Sequence, residues 1–320
     1  RERGSSYSVG RVLERRAVIL RDLSLLEPWA CVDAAYQPLR RLEPKPGGVM
    51  WLRGRPGDDQ TYTMSRSLGC ARLVLTDVPD SLRAWARTQR VEVWEHDGGS
   101  IPDLVEAATG GAGFDDIILL DPRQAPTVEA ALEVLAPFGS LNLVTAQPLD
   151  RPVPVDIDRL HYEHLAFVGC SGPDLARAYG VGRNRSELRP GGVTLIVGAG
   201  GAMGRMHLIR ALEMAEGPRA VVVTNRGTAR LARLVKDFGL LAGERGCELV
   251  AVSPTAEPGR LERELERLTG GRGFDDIIVI VPNAGAVAGA VPHLADDGLL
   301  IVFAGVHDGH KVPLPLDRVA

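Results

Sequence analysis

A glycine-rich loop is the group of residues in this sequence that most clearly could do chemistry. The stretch "VGAGGAMGRM" (197–206) follows an apolar, β-branched run and precedes an amphipathic helical pattern. Glycines let a backbone turn tightly and approach a pyrophosphate, and the helix that follows offers unpaired N–H groups to the phosphates. The pattern predicts dinucleotide binding, with a turn used only for packing as the alternative. The predicted phosphate-binding residues are Gly198, Gly200, Gly201, Ala202, Met203 and Gly204.

The end of the next predicted strand bears on which dinucleotide is bound. The run "AVVVTN" ends in Thr224 and Asn225 and is followed by Arg226. A carboxylate there would hold the ribose 2′-hydroxyl of NAD, whereas an arginine can bind a 2′-phosphate through charge-assisted hydrogen bonds. We therefore expect a preference for NADP over NAD, with Arg226 on the 2′-phosphate. A solvated surface arginine is the alternative.

A long repeat organises the chain. "TGGAGFDDIILL" (109–120) and "TGGRGFDDIIVI" (269–280) share nine of twelve residues, "PGGV" occurs at 46–49 and 190–193, and "VPVDID" is echoed by "VPLPLD". The offset grows from 144 to 160 residues, so the later copy holds about 16 extra residues, which we place at "LVKDFGLLAGERGCELVAV". A unit of this length is a duplicated domain and not a solenoid repeat.

Each copy alternates short, continuously apolar runs with helical segments. Strands that are apolar on both faces require a parallel sheet covered on both sides. The sequence therefore predicts an α/β protein with two tandem, doubly wound (Rossmann-type) domains, the first with a degenerate glycine loop. The predicted boundaries are a lead-in segment at 1–45, a first domain at 46–172, an exposed linker at 173–189 and a second domain at 190–320.

The first copy lacks the features of a phosphate loop. Aligned on "PGGV", Pro56 stands where the second copy has Gly200, and Gln60 stands where it has Gly204. Proline removes a backbone N–H, and the two aspartates that follow "RPG" suit a helix N-terminus, where they would repel a phosphate. Asp77 keeps the position of a ribose-binding acid, either as a relic or as part of a second nucleotide site. We expect the first copy not to bind a dinucleotide.

Composition excludes several classes of partner. The net charge of −4 does not support binding to nucleic acid or to an anionic membrane. No apolar run approaches the roughly 20 residues of a membrane-spanning helix. The four cysteines lack the close spacing of zinc or disulfide frameworks. These features are typical of a cytoplasmic protein with a small-molecule substrate, for which a homodimer is one possible assembly.

Several stretches resemble the medium-chain dehydrogenase/reductase family, and within it sorbose-1-phosphate reductase-like members. They are "LLEPWACVDAAY" (25–36), "VGAGGAMGRMHLIRAL", "GFDDIIVIVPN" and "LADDGLLIVFAG". The resemblance implies hydride transfer between NAD(P)(H) and an alcohol or ketone of a sugar, polyol or sugar phosphate, often with zinc as a Lewis acid. It also implies that Glu27 is catalytic and lies at the metal, an ordinary helix glutamate being the alternative.

The metal site implied by the resemblance is incomplete. The family's catalytic domain supplies a cysteine and a GHE-type motif upstream of the EPWAC-like helix, and residues 1–26 contain neither. We therefore expect a fragment in which residues 1–45 include only a remnant of the catalytic domain. Zinc would then be possible only with residues absent from the chain, and loss of the site is the alternative. A non-catalytic dinucleotide-binding or scaffold protein is accordingly the second functional hypothesis.

Residues after the later strands of the second copy are expected near the nicotinamide. By position and resemblance they form a wall consisting of Pro282, Asn283, Ala304 and Gly305. His307 and His310 follow the last strand, where a solvated loop competes with a position near the cofactor. His161 and His164 have i, i+3 spacing but precede a predicted strand, which disfavours a zinc site.

Overall fold

The computed structural model describes residues 26–37, 40–180, 184–305 and 309–319. The elements of the first copy, with the helix that precedes them, are α1 (Leu26–Ala34), β1 (Val49–Arg53), β2 (Arg72–Thr76), α2 (Asp80–Arg87), β3 (Glu92–Glu95), α3 (Ile101–Thr109), β4 (Phe114–Leu120), α4 (Ala125–Glu133), β5 (Leu135–Val144), β6 (Val153–Asp156), α5 (Ile157–Tyr162) and β7 (Ala166–Cys170). A short 3-10 helix, Leu175–Ala178, follows.

The second copy repeats this alternation. Its elements are β8 (Val193–Val197), α6 (Ala202–Glu213), β9 (Ala220–Thr224), α7 (Thr228–Glu244), β10 (Glu248–Val252), α8 (Arg260–Thr269), β11 (Phe274–Val279), α9 (Ala284–Ala290), β12 (Leu294–Val302) and β13 (Lys311–Leu314). 3-10 helices span Val291–His293 and Leu316–Val319.

Both copies form a parallel, doubly wound sheet. The strand orders are β3-β2-β1-β4-β5-β7 in the first copy and β10-β9-β8-β11-β12 in the second. All pairings within these sheets are parallel, and the order reverses between β1 and β4 and between β8 and β11. The central strands are buried on both faces, as the apolar runs predicted. The predicted fold class is therefore confirmed.

The repeated acidic pair in the dodecamers joins two distant parts of each copy. In the first copy, the amide of Val49 donates to Asp115 (2.9 Å) and the amide of Lys45 donates to Asp116 (2.8 Å). In the second copy, the amide of Val193 donates to Asp275 and the amide of Arg189 donates to Asp276, both at 2.9 Å. The acids thus connect the start of the fourth strand to the chain entering the first strand.

The same acids explain why the "PGGV" motif is repeated with them. A Cβ on Gly48 would lie 2.9 Å from Asp115, and one on Gly192 would lie 3.1 Å from Asp275. A side chain at either position would therefore crowd the aspartate that binds this backbone. Asp116 and Asp276 are completely buried, and Asp116 also contacts Arg41 at 2.8 Å and Ser140. The duplicated sequence is a structural connection, made once in each sheet.

The echoed segments of the repeat pair with each other. β6 lies in "VPVDID", and β13 overlaps "VPLPLD". The two strands form an antiparallel ladder in which Val155 pairs with Val312 and Pro154 pairs with Pro313.

The extra residues of the second copy are more widely distributed than expected. The offset between equivalent strands is 144 residues at β1 and β8, 148 at β2 and β9, 156 at β3 and β10, and 160 at β4 and β11. The expected single insertion site is therefore wrong, although the largest increase does lie there. That increase accompanies a longer helix, since α2 has 8 residues and α7 has 17.

The chain divides into two compact units that differ from the predicted domains. Within the described residues, one unit contains 26–37, 186–281 and 293–303, and the other contains 40–185, 282–292 and 304–319. The helix α9 and the C-terminal strand thus group with the first copy, outside the predicted second domain.

The predicted exposed linker at 173–189 is largely packed. Leu175, Ala178 and Tyr179 are buried in the core of the first sheet, and the side chain of Asn142 donates to the carbonyl of Leu175 at 3.2 Å. The Gly, Arg and Asn residues of this stretch suggested exposure, but the apolar residues between them pack inward.

No helix of the described chain is long and apolar enough to cross a membrane.

Candidate functional site

The glycine loop makes a tight turn between β8 and α6. Gly198 has φ +88°, which favours glycine, and a Cβ there would lie 2.5 Å from Cγ2 of Val281. The amides of Gly198 and Ala199 donate to the carbonyl of Thr224 at 3.0 and 2.9 Å. These contacts hold the turn against the buried end of β9.

The other glycines of the loop have two different roles: one allows close packing of α6, and another leaves space at the start of that helix. A Cβ on Gly204 would collide with the backbone of Ala199, so this glycine lets α6 pack closely on the turn. Gly201 precedes the helix, a Cβ placed on it would meet no atom within 4 Å, and no side chain caps the helix. Ala202 is exposed, whereas Met203 is half-buried against the core. The first amides of α6 lack intrahelical acceptors, so they can donate to an anion.

Asn225, which follows β9, and Arg230, in the first turn of α7, lie beside this loop. A Cβ on Gly200 would lie 2.8 Å from the side chain of Asn225 and 3.0 Å from Cβ of Arg230. The Asn225 amide donates to the carbonyl of Gly227 at 3.0 Å, and the carbonyl of Arg226 accepts from Ser253 at 3.0 Å. Arg226 and Arg230 are exposed and form no ion pair within the described ranges. Arg230, in the first turn of α7, was not identified from the sequence.

The equivalent region of the first copy has no helix. Residues 54–71 contain none, so the expected helix N-terminus for the aspartates after Pro56 is wrong. Asp58 instead accepts from the amide of Gln60 (3.1 Å) and the hydroxyl of Tyr62 (2.9 Å). Burial, together with this bond to Asp58, raises the pKa of Tyr62. The core residues Met64, Leu68 and Cys70 follow, so this segment packs as an irregular chain.

Side chains of the first copy fill the point where its strand order reverses. Asp121, which is 1% exposed, contacts Nε of Arg123 at 2.5 Å and Nη2 of Arg55 at 3.7 Å. Asp77 has φ +50°, and its carbonyl lies so close to Gly54 that a Cβ there would collide with it. These contacts are specific to the first copy, and its expected failure to bind a dinucleotide stays a prediction.

Sequence comparison identifies relatives of the chain. L-sorbose 1-phosphate reductase of Klebsiella pneumoniae is 36% identical over 121 residues, which cover 38% of this chain and 28% of that protein. The protein YggP of Escherichia coli (strain K12) is 36% identical over 132 residues, covering 41% and 31%. The predicted resemblance to sorbose-1-phosphate reductase-like proteins is confirmed for this part of the chain. The matches span less than a third of the length of either relative.

A solved structure also matches part of the chain. The alcohol dehydrogenase TADH from Thermus sp. ATN1 has 23% identity and a TM-score of 0.32, covering 40% of this chain and 33% of that one. No family model matches the chain.

The zinc site known in the medium-chain family does not fit the described residues. Glu27 lies exposed in the first turn of α1, where Oε1 accepts a hydrogen bond from the Cys31 thiol at 3.2 Å. That hydrogen bond raises the pKa of Cys31. No cluster of three His, Cys, Asp or Glu side chains that could hold a metal occurs in the described parts of the chain. Glu27 alone therefore cannot form a zinc site.

The candidate histidine ligands belong to no three-residue metal-binding cluster within the described residues. His161 lies in the last turn of α5, a helix where the sequence suggested only the approach to a strand. His164 follows with φ +52° and stacks on Phe138, with ring centroids 5.2 Å apart. His310 is exposed, and His307 lies outside the described residues.

The residues expected to form the nicotinamide-side wall have definite local roles. Asn283 is the N-cap of α9 and accepts from the amide of Ala286 at 3.1 Å. Pro282 and Asn283 are exposed, and Ala304 is partly exposed. The hydroxyl of Tyr162 would lie 2.6 Å from a Cβ on Gly305, so a larger residue there would have to displace the exposed Tyr162 ring.

Proposed function

We propose that the second copy binds NADP(H), with the pyrophosphate on the glycine loop and the 2′-phosphate on Arg226. The observation that carries this proposal is a pair of exposed arginines without ion pairs in the described chain, Arg230 beside Gly200 and Arg226 directly after Asn225, whose side chain also lies beside Gly200. A dianionic phosphate would neutralise both guanidinium groups, whereas the ribose hydroxyl of NAD would leave them unpaired. The first amides of α7 add donors at the same place, because no side chain caps that helix.

We further propose that the chain forms the cofactor-binding part of an oxidoreductase. Bound NADP(H) would donate or accept a hydride, and the substrate would be a sugar, a polyol or a sugar phosphate. The reductase relative supports this choice, because its name specifies L-sorbose 1-phosphate. Pro282, Asn283, Ala304 and Gly305 would contact the nicotinamide half. No step is assigned to zinc, since Glu27 is not joined by further metal ligands in the described chain.

Titration with both cofactors tests the binding proposal. The wild type should bind NADP more tightly than NAD, and Arg226→Ala should weaken NADP binding by about tenfold or more while leaving NAD binding unchanged. Arg245→Ala is the matched control, because Arg245 is exposed at the far end of α7, about 25 Å along the helix. Equal affinity of the wild type for the two cofactors would contradict the proposal.

A non-catalytic dinucleotide-binding or scaffold protein is the second candidate. The lack of a metal-binding group among the described residues favours it. Oxidation of NADPH in the presence of L-sorbose 1-phosphate and other sugar phosphates separates the two functions. The assay uses the protein purified from its native source; turnover supports the oxidoreductase, whereas tight NADPH binding by that protein without turnover supports the scaffold.

The cellular setting and the assembly are proposals of the same kind. We propose a cytoplasmic homodimer that acts on a small molecule. Light scattering coupled to size-exclusion chromatography would test the dimer, and a monomeric mass at micromolar concentration would contradict it.

A further inference from the structure

His207 is a completely buried polar side chain that the proposed cofactor site does not use. It lies in the second turn of α6, the helix that begins at the glycine loop. Its Nδ1 is 2.6 Å from the hydroxyl of Tyr36, just beyond α1. Its ring meets Phe303 edge-on, with centroids 4.6 Å apart and planes at 82°. The imidazole thus contacts both Tyr36, which follows α1, and Phe303, which follows β12.

The imidazole acts as a neutral group in this position. Burial, together with the nearby charge of Arg210, lowers the pKa of His207 to about 3. Arg210 covers the other side of Tyr36, with Cζ 3.7 Å from the ring centroid, and forms a two-bond ion pair with Glu187 at 2.6 and 2.8 Å. Tyr36 is therefore fixed from both sides, and it fixes the orientation of His207.

The Nε2 side of the imidazole, away from Tyr36, is held by packing and not by a hydrogen bond. Nε2 of His207 is buried and has no hydrogen-bond partner in the described chain. The edge-to-face contact with Phe303 is a favourable arrangement for two aromatic rings. Phe303 itself follows β12, and its amide donates to the carbonyl of Val279 at the end of β11 (2.9 Å). Movement of His207 would therefore alter the carboxyl end of these two strands.

We propose that His207 is a positioning residue for the nicotinamide half of NADP(H), acting through Phe303. Ligands of doubly wound sheets lie outside the carboxyl ends of the strands. With the adenosine half at β8 and β9, the nicotinamide half extends toward β11 and β12, where Phe303 lies. This inference rests on the proposed function, since it requires NADP(H) to bind the second copy.

Comparing the binding of NADPH with that of 2′,5′-ADP distinguishes an effect on the nicotinamide half from a general loss of stability. NADPH contains both halves, whereas 2′,5′-ADP contains the adenosine and the 2′-phosphate but no nicotinamide. His207→Asn keeps a polar partner near Tyr36 and removes the ring edge that faces Phe303. It should weaken NADPH binding by roughly three- to tenfold, the effect of one lost aromatic contact, and change 2′,5′-ADP binding by less than about twofold.

Two further variants complete the experiment. Phe303→Leu removes the same contact from the other side and should give the same pattern, which also covers the case in which His207→Asn does not fold. Tyr36→Phe keeps the contact with Phe303 and should have the smaller effect on NADPH. Equal weakening of both ligands, or no weakening, by both His207→Asn and Phe303→Leu overturns the inference. Failure of the wild type to bind either ligand overturns the proposed function instead.

Discussion

Replacing Gly201 with alanine should weaken cofactor binding while leaving the protein folded. Gly201 has φ −91°, a value that alanine adopts readily, and a Cβ there meets no atom within 4 Å. The space around this position is therefore open, and it lies at the N-terminus of α6, where the pyrophosphate is expected. The new methyl group would occupy the path of the phosphate and not part of the protein core.

The expected magnitudes follow from these contacts. Alanine is a poorer N-cap than glycine, which costs about 0.5 kcal/mol of stability. A methyl group forced against a bound pyrophosphate costs about 1–3 kcal/mol, so NADP binding should weaken by roughly 5- to 100-fold. Isothermal titration calorimetry measures the affinity, and thermal unfolding should show a decrease in Tm of only about 1–2 °C.

Gly204→Ala is the matched comparison. It adds the same methyl group three residues later, where the Cβ collides with the backbone of Ala199. Alanine gains about 1 kcal/mol in helix propensity, but separating α6 from the turn costs more, so Gly204→Ala should be clearly less stable. If folded Gly201→Ala binds NADP as tightly as the wild type, the phosphate does not lie at this loop and the reasoning is refuted.

Three further predictions address the scaffold and the first copy. Asp115→Ala and Asp275→Ala each remove the acceptor of a backbone amide, so urea unfolding should show a loss of about 1–3 kcal/mol for each variant. The folded-state pKa of His207, about 3, lies below its ordinary value of 6.5. The contribution of His207 to the free energy of unfolding is therefore fully present above pH 6.5. It decreases by up to about 1.4 kcal/mol per pH unit as the pH falls toward 3, because the unfolded chain binds the proton more readily than the folded one. Urea unfolding at pH 6.5 and pH 5 should accordingly show a smaller decrease for His207→Asn than for the wild type. Asp121→Ala should destabilise the protein but leave its NADP affinity, measured by calorimetry, unchanged. A changed affinity would indicate that the first copy takes part in binding.

The fold was largely predictable because it depends on local patterns. Continuous apolar runs separated by helical segments predicted both parallel sheets, and the repeat predicted that there are two. The hydrogen bonds that Asp115 and Asp275 accept from backbone amides were not predictable, since they join residues 66 and 82 positions apart. Such contacts depend on the register between the first and fourth strands, which a single sequence does not specify.

The linker was wrongly predicted to be exposed because the prediction used its average composition, whereas a few apolar residues determine its packing. The stretch after β7 contains many Gly, Arg and Asn residues, yet Leu175 and Tyr179 pack into the first sheet. In the candidate site, the glycine loop was predictable because Gly198, Gly200 and Gly204 each have a steric reason to be there. Arg230 was not identified because its relation to Gly200 depends on how α7 leaves β9. Glu27 was chosen by resemblance, and the described chain adds no further ligands to it.

The two copies keep the same scaffold and differ where a cofactor would bind. The dodecamers place Asp121 at the position of Val281. Val281 is apolar and packs closely beneath Gly198, whereas Asp121 is a buried carboxylate that pairs with Arg55 and Arg123. Removing Asp121 would free two arginines but would not restore a phosphate loop, because no helix follows the turn and Pro56 has no N–H to donate. The first copy therefore differs from the second in its missing helix as well as in its charges, and we expect that a single substitution would not give it a phosphate loop.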